Sequence, residues 1–429
     1  MSSEGTVKPA DLDAVTTGIR HEDPERYVLD GSRPSLALSP ASVGEVRASL
    51  EAANSAGRVV VPWGGGTQMG LGNLPAAVDV ALDLRALNAV VEYEPNDMTI
   101  AVQAGLTLKA LDRLLAEHGQ VLPVDAADPE HATLGGLAAA GIAGPRRFGY
   151  MPLRDLIIGV AAVLPDGREA RAGGMVVKNV SGFDLMRLYH GSLGILAVIV
   201  QLNLKVLPRP QAERTVLVRY PGLADAVRSA ESIRLSQLGV TAVVLLDAGA
   251  ATRVEIPTAP WTLAVRCEAP PVAVVRQAER VVQVAGAPID ATDLLPAEET
   301  PGFWSRVTGL ASAAPTHDEI GARLGVRPSR MAIQGEQVAS GGDVQAVMLD
   351  VGSGLVYARA TGETDALRAA WQRLEMLGEH ATLLTAPAGV KEGIDVFGAS
   401  PAGLDVMRSL KEQFDSHHIL NRGRFAGHL

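Results

Sequence analysis

Three adjacent glycines, Gly64, Gly65 and Gly66, follow a Val-rich run in RVVVPWGGGTQMGLG, residues 58–72. Without Cβ atoms these positions can take positive φ and bring backbone N–H groups up to an anion such as a diphosphate. A plain tight loop is the other reading of the same residues. The dinucleotide fingerprint of doubly wound folds also follows a strand, and Asp83 lies about where its ribose-binding acid would fall. That fingerprint must open straight into a helix, whereas here Gly70, Gly72 and Pro75 follow and Met69 stands where the third glycine would be. A second stretch, PVDAADPEHATLGGLAAAGIAGPRRFG (residues 123–149), carries small residues on every face, which implies close packing against something flat or a tight helix crossing. Two such segments, about 70 residues apart, favour a large nucleotide ligand more than either does singly.

The elements that would position these loops can be read from periodicity. SVGEVRASLEAANSAG places Val43, Val46, Leu50 and Ala53 on one face, with Ser42 and Glu45 as a capping box and Gly57 as the stop. Strands are expected before the glycine loop, around Val80 and over Met98–Gly105, then a helix from the Thr107 N-cap to Gly119. Residues 156–207 read as strand, Pro165-Asp166-Gly167 turn, strand, helix, strand, and LPRP (207–210) as a linker. Beyond it come RTVLVRY, a helix to Gly239, VTAVVLLD, RVEI, WTLAVRCEA and the helix VAVVRQAERVVQVAG, which fit an antiparallel sheet with helices on one face. A second round (VQAVMLDVG, GLVYARA, ETDALRAAWQRLEMLG, HATLLTA) repeats that order without a residue-level repeat. From Pro401 a helix and NRGRF follow, with a composition belonging to neither sheet region.

Composition narrows the classes. The chain has 429 residues, 47% of them hydrophobic, enough for two or three domains each with its own core. A formal net charge of −10 without long basic runs argues against a nucleic-acid or anionic-membrane surface. The one cysteine, Cys267, allows neither a disulfide pair nor an iron–sulfur cluster of the chain's own. The start lacks a signal-peptide pattern, and the apolar run LIIGVAAVL falls far short of the ~20 residues that span a bilayer. The expectation is a cytoplasmic protein without direct membrane insertion, peripheral at the inner membrane only through partners.

The order VPWGGGTQMGLG, ATLGGLAAAGIAGPRR, LRDLIIGVAAVLPDG, VVKNVSGFDLMRLYHGSLGILAVI and LKVLPRP resembles the FAD-binding domain of the vanillyl-alcohol-oxidase (PCMH) type, over roughly residues 35–210. Within that superfamily GPRR (144–147), VKNVSGFDLMRL (177–188), GEHATLL (378–384) and NRGR (421–424) are similar to the FAD-binding subunit of bacterial glycolate oxidase. The resemblance implies an α+β fold: an extension over residues 1–34, a two-subdomain PCMH-type FAD-binding domain over 35–208, an α+β cap domain with antiparallel sheet over 209–400, and a helix and tail over 401–429 that return to the FAD domain. Trp63, Gly64, Gly65, Gly66, Thr67, Gln68 and Met69 would hold the FAD diphosphate. Thr133, Gly135, Gly136, Ala139 and Gly141 would line the cofactor opposite, with Gly194 and Ile199 at the adenine end and Asp125 as the acidic position ahead of ATLGG.

With no His between residues 58 and 72, and Cys267 in the other domain, the flavin is expected to be non-covalent. Flavin oxidation of a 2-hydroxy acid calls for a cation near the reduced ring, for which Lys178 is the candidate, with a solvated or Asp184-paired lysine as the alternative; the resemblance of NRGR to the family's closing motif places Arg424 near the flavin as well. Arg146 and Arg147 could hold a carboxylate or phosphate, contact a partner, or be solvated. His380 lacks the second His motif of a metal site, so no metal is expected, and His131 is kept as a flavin neighbour. The implied partners are a catalytic FAD subunit and an iron–sulfur subunit of a glycolate oxidase complex acting on a small 2-hydroxy acid. A self-sufficient hydroxy acid oxidase, or a scaffold that has lost flavin, are the alternatives.

Overall fold

A computed structural model describes residues 16, 18–176, 183–286, 293–296, 298–314 and 316–429. Lys178 lies outside the described residues. In the first sheet, Arg20–His21, Leu36–Ser39, Val80–Asp83 and Val60–Trp63 lie side by side in that order, the last three parallel. Parallel neighbours need a crossover, and helix Val43–Ser55 supplies it. Its capping box is formed: Ser42 accepts the Glu45 N–H at 3.2 Å, and Glu45 accepts the Ala41 N–H at 2.8 Å. The chain turns away at Gly57 with φ +61. Val46, Leu50 and Ala53 bury against Leu38, Val60 and Leu82 of the sheet.

The second sheet is antiparallel throughout, in the order Val90–Glu94, Thr99–Gln103, Val198–Lys205, Ile157–Val163, Glu169–Gly173. Helix Leu108–Ala116, capped by Thr107, and the short helix Leu134–Ala140 share one apolar core with Val102, Val160 and Leu202. From the sheet's other face Ala161, Val163, Val198 and Val200 join the core of the first sheet. The edge strand Val90–Glu94 escaped the sequence reading because its valines point outward: Val91 is 52% exposed.

The third sheet has eight antiparallel strands: Asp293–Leu295, Ala212–Tyr220, Trp261–Ala269, Ala242–Asp247, Val344–Asp350, Leu355–Thr361, Glu319–Gly325, His380–Thr385. Each half is a βαββαβ unit with its fourth strand outermost, and the halves meet through their second strands, with Leu245 opposite Leu349. That pseudo-symmetry explains a repeat of element order without a repeat of residues. Helices Leu223–Leu235, Pro271–Ala285, Met331–Ala339 and Thr364–Glu375 cover one face. The other face is not bare, as the one-sided expectation had it. It packs Ala248–Arg253 and Thr300–Gly309, and its Leu217, Val244 and Met348 share a core with Leu71 and Leu193 of the first region. RVEI is no strand either: Asp247 accepts the Ala250 N–H at 2.7 Å and starts a helix, and Val254 falls at its end.

After helix Leu404–Phe414 the chain returns to the first sheet. Val60 donates to Ile419 O at 2.7 Å and accepts from the Asn421 N–H at 2.9 Å, so Leu420 lies parallel beside it. Buried Lys411 fastens this return by donating to Asp415, Ile195 O and Leu420 O. Among the described residues no helix is long and apolar enough to cross a membrane.

Candidate functional site: an anion cradle at the domain junction

Strand Val60–Trp63 leads into residues 64–68, where regular pairing stops. Among the described residues, the N–H groups of Gly64, Gly65, Gly66, Thr67 and Gln68 have no protein acceptor, and all five residues are half-buried. Unpaired, partly buried backbone donors are costly unless water or a ligand takes them, and a consecutive run of them is an anion-binding nest. Gly66 sits at φ +77, where a side chain would be strained. The Thr67 hydroxyl has no protein partner among the described residues.

The next three residues show the opposite polarity. Arg424 donates to Met69 O at 3.0 Å and to Leu71 O at 2.6 Å, while Lys391 donates to Gly70 O at 2.9 Å. Lys391 also reaches both Asp30 carboxylate oxygens, at 2.9 and 3.0 Å. Both cations are buried. Burial pulls the Lys391 ammonium below its ordinary value against the attraction of Asp30, and pushes the Arg424 guanidinium down to about 10. The loop thus leaves its amides unpaired on 64–68 while its carbonyls on 69–71 are pinned from behind by two cations. The catalytic role expected of Arg424 does not match these contacts: it is 3% exposed and holds loop carbonyls and Asn421 Oδ1. Lys391 and Asp30 escaped the sequence reading, since AGVKEG looks like an ordinary solvated turn and no local pattern marks a buried lysine.

The opposite wall is the 131–139 segment. A Cβ on Gly65 would overlap the His131 carbonyl, and one on Gly64 the Thr133 side chain, so these glycines also permit backbone contact with the facing wall. Thr133 caps the helix by accepting the Gly136 N–H at 3.3 Å; Leu134 and Gly135 donate to Leu106 O and Ala104 O at 2.9 and 2.8 Å. Of the expected residues, Trp63, Gly64, Thr133, Gly135, Gly136, Ala139, Gly194 and Ile199 line one crevice, joined by Leu84, Ala104 and Leu193, which were not foreseen. Its enclosed space, about 60 Å³, holds no more than a water or two.

Other expected residues lie elsewhere. Gly141 ends the helix at φ +65, where a Cβ would come within 2.8 Å of Gly191 Cα. The Gln68 side chain accepts the Ala313 N–H at 3.1 Å, and Met69 packs against the cluster of Val61 and Trp63. Asp125, expected at the cofactor, is a clasp: it accepts the Arg146 N–H at 2.8 Å and pairs with Arg266 at 3.3 Å. It lines a separate cleft of about 840 Å³ between the first region and the large sheet. On the cleft floor Arg266 meets Asp125, Glu213 at 2.6 Å and Glu268 at 3.7 Å, and lies over the Trp304 ring. Arg146 grips Glu268 with two nitrogens, and Thr241 donates to the same carboxylate at 2.6 Å. Burial would raise Glu268, but Arg266 and Arg146 outweigh it and hold the carboxyl below its ordinary range. Arg147 donates to Ser353 Oγ at 2.9 Å. Neither arginine of GPRR is therefore solvated; both join the first region to the large sheet. The His131 ring is exposed and bonded to Asp128 at 2.8 Å, and no group of three His, Cys, Asp or Glu suited to a metal occurs among the described residues.

Comparison with known proteins agrees with this geometry. Residues 34–182 match the FAD binding domain and residues 398–425 the C-terminal domain of FAD linked oxidases. The chain is 29% identical to the glycolate oxidase subunit GlcE of Escherichia coli over 81% of this chain and 87% of that one. It is 25% identical to the glycolate oxidase subunit GlcD of Bacillus subtilis over 92% and 89%. Against D-lactate dehydrogenase [cytochrome] 1 of Saccharomyces cerevisiae the figure is 30%, over 56% of this chain and 40% of that one. Among solved structures, 4-ethylphenol oxidase from Gulosibacter chungangensis superposes with a TM-score of 0.71 at 14% identity, covering 98% of each chain. p-Cresol methylhydroxylase gives 0.69 at 15%, covering 96% and 92%. The match to the FAD-binding domain spans the glycine loop and the 131–139 wall, and the C-terminal match spans the return segment that braces the loop: the chain is an FAD-dependent oxidoreductase with a PCMH-type fold.

Proposed function

We propose that this chain is the FAD-binding subunit of a complex that oxidises glycolate or a related 2-hydroxy acid, holding FAD non-covalently and passing electrons to an iron–sulfur partner. The observation that carries the cofactor half of this reading is the run of five unpaired amides at residues 64–68 in front of two buried cations. When bound, FAD supplies two-electron acceptance from a substrate and one-electron delivery to an acceptor. The protein's own residues do the rest. The amides of Gly64 through Gln68 and the Thr67 hydroxyl hold the diphosphate.

Likeness to a glycolate oxidase subunit along most of the chain supports the subunit role over a self-sufficient oxidase. The single cysteine leaves cluster chemistry to another polypeptide.

The test is to load the purified chain with FAD and add glycolate anaerobically, first alone and then with the co-expressed partner subunits. The proposal expects yellow protein whose flavin is released into the supernatant by acid precipitation, and no bleaching until the partners are present. Bleaching by glycolate without partners would install the self-sufficient reading. Protein that takes up no FAD would end both.

A further inference from the structure

We propose that Lys391 is a positioning residue for the cofactor diphosphate, acting with Arg424 and Asp30 as an electrostatic backstop behind the glycine loop; this rests on the reading that the diphosphate occupies the amides of residues 64–68. The Lys391 side chain is fully buried, its only carboxylate partner among the described residues is Asp30, and the third bond of its ammonium goes to the Gly70 carbonyl. A buried ion pair is weak support for stability, since apolar residues of similar volume often do as well or better. Its retention here is explained by where it points. Arg424, equally buried, has no carboxylate within ion-pair distance among the described residues; its Nη groups reach only the carbonyls of Met69 and Leu71 and the Asn421 amide, and its Nε has no partner.

Among the described residues the charge count at the carbonyls of residues 69–71 is two cations and one anion, so a unit of positive charge is left without a counter-ion there. An anion held by the five unpaired amides of the same loop would be its complement. The same three carbonyl bonds fix the peptide planes that follow the cradle, so the cations act twice: they orient the loop and supply field to it. Three distant pieces of chain must converge for this, since residue 30 from the start, residue 391 beyond the large sheet and residue 424 from the return segment all meet at Met69–Leu71.

An electrostatic backstop and a merely structural plug differ in the sign of their charge variants. Lys391→Met leaves Asp30 and Arg424 in balance and removes the excess charge. Asp30→Asn removes the counter-charge instead, and Asn accepts the left-handed backbone found at residue 30, φ +47, as readily as Asp does. The experiment is calorimetric titration of the flavin-free chain at neutral pH with ADP, which carries the diphosphate, with adenosine as the probe that lacks it, and with FAD. The expected result for Lys391→Met is ADP and FAD binding weakened about tenfold with adenosine unaffected, and recovery of most of the loss in Lys391→Arg. For Asp30→Asn it is ADP affinity equal to or above that of the native chain. Native-level ADP binding by Lys391→Met overturns the proposal while leaving the cofactor assignment intact, as does a fall in ADP affinity for Asp30→Asn, which decides the matter even if Lys391→Met does not fold. A native chain that binds neither FAD nor ADP overturns both.

Discussion

Residues 64–68 and residues 133–139 are both built around adjacent glycines, both follow or flank buried strands, and they face each other across one crevice, yet they treat their backbone donors in opposite ways. In the loop, five successive amides find no acceptor among the described residues. In the helix, the first three are taken by Leu106 O, Ala104 O and Thr133 Oγ1. Glycine content alone therefore does not identify a ligand site; the fate of the N–H groups does. The helix needs Gly135 because a Cβ there would come within 2.7 Å of Ala104 Cβ. The loop needs its glycines both for contact with the wall and for access to the amides.

The contrast can be broken by substitution. Gly65→Ala should have the largest effect, because its Cβ collides with the His131 backbone, which cannot rotate away. A destabilisation of about 3 kcal/mol and loss of nearly all bound flavin are expected, read from thermal melts and the flavin-to-protein ratio. Gly135→Ala should cost about 2 kcal/mol through the Ala104 contact, while the folded fraction binds FAD within about threefold of native. If it instead abolished binding without affecting the melt, the helix would be a ligand wall and the contrast would fail. Thr133→Val removes the helix cap and should lower stability by about 1 kcal/mol. Thr67→Val sharpens the comparison from the loop side: the flavin-free melt should be unchanged and FAD binding weakened about fivefold, since only a ligand-directed hydroxyl is lost.

What the sequence displayed, and what it hid, divides along the range of the interactions. The Ser42–Glu45 capping box, the Thr107 cap and the stop at Gly57 are local, and each formed at its residue. The glycine loop was legible because a strand followed by three glycines has few alternative uses. RVEI failed because Asp247, six residues earlier, begins a competing helix. Asp125 reads as a cofactor group, and Arg146 and Arg147 as ligand, partner or solvated residues, because a charged residue near a glycine motif looks available; their partners Arg266, Glu268 and Ser353 come from the large sheet and its turns more than 120 positions later. The backstop was invisible for the same reason, since nothing near Lys391 indicates that residues 30 and 70 will surround it.

The return of residues 419–424 to the first sheet has a consequence for how the molecule is made. Met69 and Arg424 are 355 positions apart, so a ribosome releases the loop long before the segment that steadies it. Until then the nascent N-terminal region offers a wall and a slack ribbon but no rigid grip, and flavin capture becomes a late event of synthesis. Nonsense products cut short before residue 419 should accumulate as colourless polypeptide, however complete their upstream sheets.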